Sequence, residues 1–274
     1  MQSLGIPYEI LVSDERAVVV VPAALAEKAR YELWQYETEN TAPRPAEPPL
    51  EITYQDGLWG VAGYIAIISL VAVLAGEAVF NRDWLAAGRV DGVLIREGEW
   101  WRAITALTLH SGLPHFAGNV GFGALFGMMA GRVLGPGMTW LIVLIAAGFA
   151  NILNTMLLDA THRAIGASTA VFAALGLVAG FAWRAKLFAQ DRWAYRLGPI
   201  VGGIALLAFT GTGSPESNTD TGAHLAGFAC GFGAGMLMIY AYRFVPDPRL
   251  QKIAGAVAVS IVALAWMTAL LRWA

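Results

Sequence analysis

Charge is scarce in this 274-residue sequence. Asp, Glu, Lys and Arg supply 14% of it, against roughly 25% in an ordinary soluble domain. Cysteine is scarcer still: Cys230 stands alone, which excludes an internal disulfide framework. Its place in an apolar run reads as a small packing residue. Neither sign of charge dominates, and a net charge of −2 leaves no electrostatic footprint for a nucleic-acid partner. A basic start followed by an apolar stretch and a small-residue cleavage site is also missing. The first apolar run is therefore expected to act as its own insertion signal.

What is present is hydrophobic: 57% of the residues, with a mean hydropathy of +0.56. The charges crowd into positions 1–56 and into short gaps between apolar runs. Runs of about membrane-spanning length fall near 58–80, 115–134, 138–158, 167–183, 197–210, 222–244 and 253–272. A soluble helical bundle would need polar faces on these helices, and the runs are apolar or small all round. The expected fold class is an all-α polytopic membrane protein with a small N-terminal soluble α+β module.

That module is expected over 1–41. Tyr8–Val12 and Ala17–Val21 read as strands around the polar turn Ser13–Arg16, and Ala23–Glu39 reads as a helix following Pro22. A proline-rich linker over 42–57 follows, whose residues disfavour helix and sheet interior. Then come six spans over 58–245 and a seventh over 253–272.

Basic residues in short connections mark the cytoplasmic side. With the N-terminus inside, the inner connections hold Arg132, then Arg184, Lys186, Arg192 and Arg196, then Arg243, Arg249 and Lys252. The outer connections after the third and fifth spans hold only Arg163. The long connection 81–114 departs from this rule, carrying Arg82, Arg89, Arg96 and Arg102. Asp83, Asp91, Glu97 and Glu99 offset them, and Trp84, Trp100 and Trp101 suit a segment lying in the headgroup region.

Polar side chains inside spans are expensive and usually functional. Asn119 lies four residues after His115 in the second span, on the same helix face. Ser168 opens the fourth span and His224 the sixth. These three spans run the same way, so His115, Ser168 and His224 share a level near the outer face, with Asn119 about 6 Å deeper. Ala223, Gly227, Gly231 and Gly235 form a small-residue stripe, and Ala173, Gly176 and Gly180 give helix four a matching face. A serine hydroxyl beside a neutral histidine is an activated nucleophile. Asp220, four residues before His224, is a candidate third member. His162, beside Arg163 in a loop, reads as a surface residue.

Four motifs, His110-Ser-Gly-Leu-Pro-His115-Phe-Ala-Gly-Asn119, Gly166-Ala-Ser168, Ala223-His224-Leu-Ala-Gly227 and Trp101-Arg102, together resemble the rhomboid intramembrane serine proteases over residues 58–245. The resemblance implies Ser168 as nucleophile and His224 as its base. It implies an oxyanion site from Asn119, His115 and the Ser168 amide. His110 resembles the family's structural histidine, and Phe172 the aromatic that packs on the catalytic imidazole. Gly166 and Gly227 take supporting positions, as does the Trp101-Arg102 pair in the first outer loop. A seventh helix after the six-helix core is similar to a known variant of the family.

Two positions depart from the pattern. The family's glycine after the nucleophile is Thr169, whose branched side chain is expected to widen the contact with helix six or to bond back to the preceding turn. The glutamate expected between Gly127 and Gly135 is Gly131. Transmembrane protein substrates and the lipid bilayer are the implied partners, and no cofactor or metal is implied. The implied location is a bacterial cytoplasmic membrane, with the site opening to the outer side.

The alternative is a catalytically inactive rhomboid-like protein that binds membrane helices. A transporter would show paired ionisable groups near the midplane or inverted repeats, and neither is found. A metalloprotease lacks its His-Glu-x-x-His. The polar loop Gly211–Thr221 is expected to move as a cap over the site.

Overall fold

Apolar runs that cannot satisfy their backbone in lipid except by helix do fold as helices here. The computed structural model describes residues 5–13, 16–39, 52–53, 55–157, 160–185, 200–205, 208 and 220–273. Residues 1–48 and 49–274 form two compact units.

In the first unit, β1 (Glu9–Ser13) pairs antiparallel with β2 (Arg16–Val20), in a register that sets Ser13 opposite Arg16. The helix α1 (Ala26–Glu39) follows a single 3-10 turn at Ala23–Leu25. Pro22 precedes that turn, its fixed φ suiting a helix entrance.

The second unit begins before its first helix. The Gln55 N–H donates to the Arg132 carbonyl at 2.7 Å, and the Thr53 N–H to the Tyr242 hydroxyl at 3.1 Å. Its long helices are α2 (Leu58–Gly76), α6 (Leu113–Leu134), α7 (Pro136–Leu157), α8 (Ser168–Arg184), α9 (Thr221–Ala241) and α10 (Pro248–Arg272). Short helices α3 (Trp84–Gly88), α4 (Gly92–Arg96) and α5 (Arg102–Thr105) fill the first connection. Of the span expected over 197–210, residues 200–205 and 208 are helical, and the rest lies outside the described residues. So do most of the linker expected over 42–57 and most of the Gly211–Thr221 loop. Among the described residues, four helical segments are long and apolar enough to cross a membrane: Leu58–Gly76, Pro136–Leu157, Thr221–Phe244 and Pro248–Arg272.

The helix α8 is the centre of the unit. From Thr169 to Ala182 every residue except Val178 is buried, so its lack of a polar face reflects enclosure by protein. Its partner α9 approaches closely because the two small-residue stripes meet. A side chain at Gly231 would strike the Ala173 carbonyl, one at Gly235 the Leu177 carbonyl, and one at Gly176 the Phe228 carbonyl.

The first connection is built as a platform. The Arg102 side chain is fully buried. It donates to Glu99 Oε2 at 2.6 Å and to the Ala86 and Arg89 carbonyls at 2.8 and 3.0 Å, closing a ring of hydrogen bonds around α3 and α5. The Asn151 amide of α7 donates to the Ala103 carbonyl at 2.9 Å, and Arg96 to the Thr155 carbonyl at 2.7 Å. Trp84, Trp101 and Leu109 pack with Ala265, Trp266 and Ala269 of α10, and the Trp266 indole donates to Thr108 Oγ1 at 3.0 Å.

At the opposite end α10 ties two helices together through one amide. Gln251 Oε1 accepts from the Gly137 and Met138 N–H groups at 2.9 and 3.0 Å. Its Nε2 donates to the Leu134 and Val245 carbonyls at 3.0 and 2.9 Å. Both orphaned ends at the α6–α7 turn are thereby satisfied from outside. Gln251→Leu is expected to cost about 3 kcal/mol, since it strands buried backbone groups. An earlier midpoint of SDS-induced unfolding checks this.

The position of the missing glutamate also has its reason here. A Cβ at Gly131 would lie 2.8 Å from the Gly57 Cα, so the chain entering α2 occupies the space a larger side chain needs.

Candidate active site

Three helix beginnings and one loop meet around a cavity of about 980 Å³ lined by His115, Asn119, Ser168, Phe172, Asp220 and His224, among others. Ser168 is the first residue of α8, where backbone amides have no carbonyl partner within the helix and carry the positive end of its dipole. Its Oγ lies 2.8 Å from Nε2 of His224, which sits in the first turn of α9 and is 6% exposed. The Phe172 ring, one turn along α8, packs on the imidazole with centroids 4.6 Å apart. That contact limits the ring to few orientations.

The loop before Ser168 is held on the platform. β3 (Val90–Asp91) pairs antiparallel with β4 (Arg163–Ala164), and Arg163 Nε reaches the buried Asp91 carboxylate at 3.0 Å. The Gly166 N–H then donates to the Ala106 carbonyl at 2.9 Å. Gly166 has φ +135, a conformation that side chains rarely adopt. An ideal Cβ there would lie 2.8 Å from the His115 imidazole and 3.4 Å from the Ser168 Oγ. Gly166→Ala is expected to displace both groups and to lower any Ser168-dependent reaction about 100-fold. Reaction with an activated serine-directed probe measures it.

His115 Nδ1 lies 3.1 Å from the Ser111 hydroxyl. Asn119 is buried, and its Nδ2 donates to the His115 carbonyl at 3.0 Å. An amide nitrogen carries two hydrogens, so the second is left for the cavity. His110 stands edge-on to His115 and Phe116, with centroids 5.4 and 5.2 Å away. Burial, reinforced by His115, holds its imidazole down to about 4 against a weaker opposing pull from the Thr108 backbone. That ring is neutral at pH 7. Trp101 and Arg102 lie in the platform, away from the cavity lining.

Thr169 is accommodated because α9 presents a glycine to it. A Cβ at Gly227 would lie 2.5 Å from the Thr169 carbonyl oxygen and 3.2 Å from its Cγ2. The methyl group fills the gap between the two helices, which remain in contact.

Two residues read differently from the sequence. His162 is no free surface residue: its Nε2 lies 2.7 Å from Asp220 Oδ2. The Asp220 carboxylate also accepts from the Ala223 N–H at 2.9 Å and from Asn154 Nδ2 at 3.1 and 3.2 Å. Asp220 meets His224 through the backbone, its carbonyl accepting the His224 N–H at 3.1 Å. Asn154 is a further member that the motifs do not mark, although an asparagine within an apolar span is costly unless paired.

Residues 97–241 match the family model described as Rhomboid domain. The chain belongs to the rhomboid family. It is similar to "Rhomboid protease GluP" of Bacillus subtilis (strain 168), 30% identical over 174 residues that cover 63% of this chain and 32% of that protein. It is also similar to two Toxoplasma gondii proteins. "Rhomboid-like protease 1" is 28% identical over 62% of this chain and 57% of its own length. "Rhomboid-like protease 2" is 33% identical over 64% and 61%. The chain thus spans between about a third and under two thirds of the length of these three relatives. As a rhomboid with several apolar spanning helices, it is an integral membrane protein. Helices α2 and α10 flank the matched rhomboid domain without being part of the match.

Proposed function

We propose that this rhomboid is an intramembrane serine endopeptidase that hydrolyses peptide bonds in or near transmembrane segments through a Ser168–His224 dyad. The observation that carries the reading is the 2.8 Å approach of Ser168 Oγ to His224 Nε2 inside a cavity. Neutral Nε2 accepts the hydroxyl proton as Oγ attacks the scissile carbonyl. The resulting oxyanion is met by the Ser168 amide at the start of α8, by the second Asn119 N–H and by the His115 ring. His224 then returns the proton to the leaving amine, and water resolves the acyl-enzyme by the same route.

Depth supports an intramembrane reaction. The 17 residues of α8 span about 25 Å, less than a hydrocarbon core of ~30 Å, which recesses Ser168 below the outer surface. The substrate bond must arrive extended, because helical backbone is already hydrogen-bonded. A helix-destabilising stretch with small residues is the expected target. The basic connections support an N-terminus inside and a site towards the outer face. The apparent exceptions Arg96 and Arg102 are engaged within the platform.

Labelling by a fluorophosphonate probe, absent in Ser168→Ala, tests the reading. No labelling and no cleavage of any destabilised transmembrane helix would favour the inactive, helix-binding alternative.

A further inference from the structure

We propose that Asp220 is a positioning residue that couples the base-bearing helix to the nucleophile-bearing loop through His162 and Asn154. The proposal rests on the Ser168–His224 reading for its catalytic consequence, and on geometry alone for the coupling.

The two halves of the dyad come from segments 56 residues apart, so their 2.8 Å approach needs something to fix α9 against the loop that leads into Ser168. Packing of the small-residue stripes fixes how near the helices come. One carboxylate adds direct polar ties between the first turn of α9 and the loop that leads into Ser168.

Asp220 caps α9 by accepting the Ala223 N–H, one residue before His224. The same group reaches His162 at 2.7 Å in the loop six residues before Ser168, and Asn154 at 3.1 Å on α7. The His162 and Asp220 side chains are 19% and 15% exposed, so their hydrogen bond is largely sheltered from competing water. The next link leads into the platform, because the His162 carbonyl accepts the Gly92 N–H at 3.0 Å. A Cβ at Gly222 would lie 2.6 Å from Asn154 Oδ1, so the first turn of α9 is seated directly on that amide. Displacing α9 by a fraction of an ångström along its axis would strain the Asp220 contacts to His162 and Asn154 together with the Ser168–His224 hydrogen bond.

A simple helix cap would behave differently from such a coupling. Asparagine caps a helix as well as aspartate does, and His162 has no part in capping. The test uses the full chain in lipid nanodiscs, with a model transmembrane substrate and fluorophosphonate labelling. Asp220→Ala is expected to lower kcat and the labelling rate about tenfold, with KM held within about twofold. Asp220→Asn is expected to recover only part of that loss. His162→Ala is expected to lower kcat about threefold, and the Asp220→Ala/His162→Ala double variant to be no slower than Asp220→Ala alone. Hydrogen–deuterium exchange gives a readout that needs no chemistry: His162→Ala is expected to speed exchange at amides 221–226, and Asp220→Ala at 160–167 as well.

Full recovery in Asp220→Asn together with a silent His162→Ala would reduce Asp220 to an ordinary cap. Effects that multiply in the double variant, or a loss confined to KM, would equally overturn the coupling. A wild-type chain that neither cleaves nor labels counts against the protease reading, while the exchange data still decide the coupling on their own.

Discussion

Ser168→Ala is expected to lower cleavage of a model transmembrane substrate by on the order of 10⁴-fold or more, with the protein still folded. The nucleophile and its base act as a unit in serine hydrolases, so losing either removes most of what both contribute. His224→Ala should therefore fall nearly as far, and the double variant little further. Folding is expected to survive in Ser168→Ala, because Ser168 is only partly buried and the change leaves no large void. His224→Ala is less innocent, since it removes the ring that Phe172 packs against. Comparing thermal stability of the two variants in detergent separates the chemical loss from the structural one. If Ser168→Ala retained cleavage, the nucleophile would have to be sought elsewhere in the chain.

The second large effect lies outside the cavity. Arg102→Met is expected to cost about 3 kcal/mol, in the range for breaking a buried pair by removing one partner. The guanidinium satisfies Glu99 and the Ala86 and Arg89 carbonyls at once, and its loss would leave Glu99 with a longer bond from the Trp273 indole at 3.3 Å. Glu99→Gln is expected to be damaging for the converse reason, because it leaves a fully buried cation beside a neutral partner. Lysine should not rescue the site, since a single ammonium cannot reproduce the fork of the guanidinium. The midpoint of SDS-induced unfolding measures these costs. Activity should fall in parallel, since the platform holds β3 and through it the loop that carries Gly166 and Ser168.

This division between platform and cavity explains two arginines of the first connection. Counted along the chain, Arg82, Arg89, Arg96 and Arg102 depart from the distribution of positive charge elsewhere. In three dimensions Arg102 is enclosed and Arg96 is bonded to the end of α7. Their role is to close polar loops of backbone in a place where water is scarce.

The sequence by itself determined where the long apolar helices of the described residues lie. It also determined that Ser168, His224 and His115 each begin such a segment, because hydropathy and helical period are local properties carried by neighbouring residues. Motif order along the chain added the expectation of a dyad and an oxyanion site. What only the tertiary structure decided are the relations that depend on how one helix is rotated and shifted against another. Thr169 reads from the chain as a wedge, yet Gly227 makes room for it. Asp220 reads as a candidate third member beside His224, and its carboxylate bonds to His162 and Asn154, 58 and 66 residues away. Gly131 reads as a lost glutamate, yet Gly57 fills the space. Each depends on atoms contributed from a distant segment, and local pattern does not encode which of the available faces will meet.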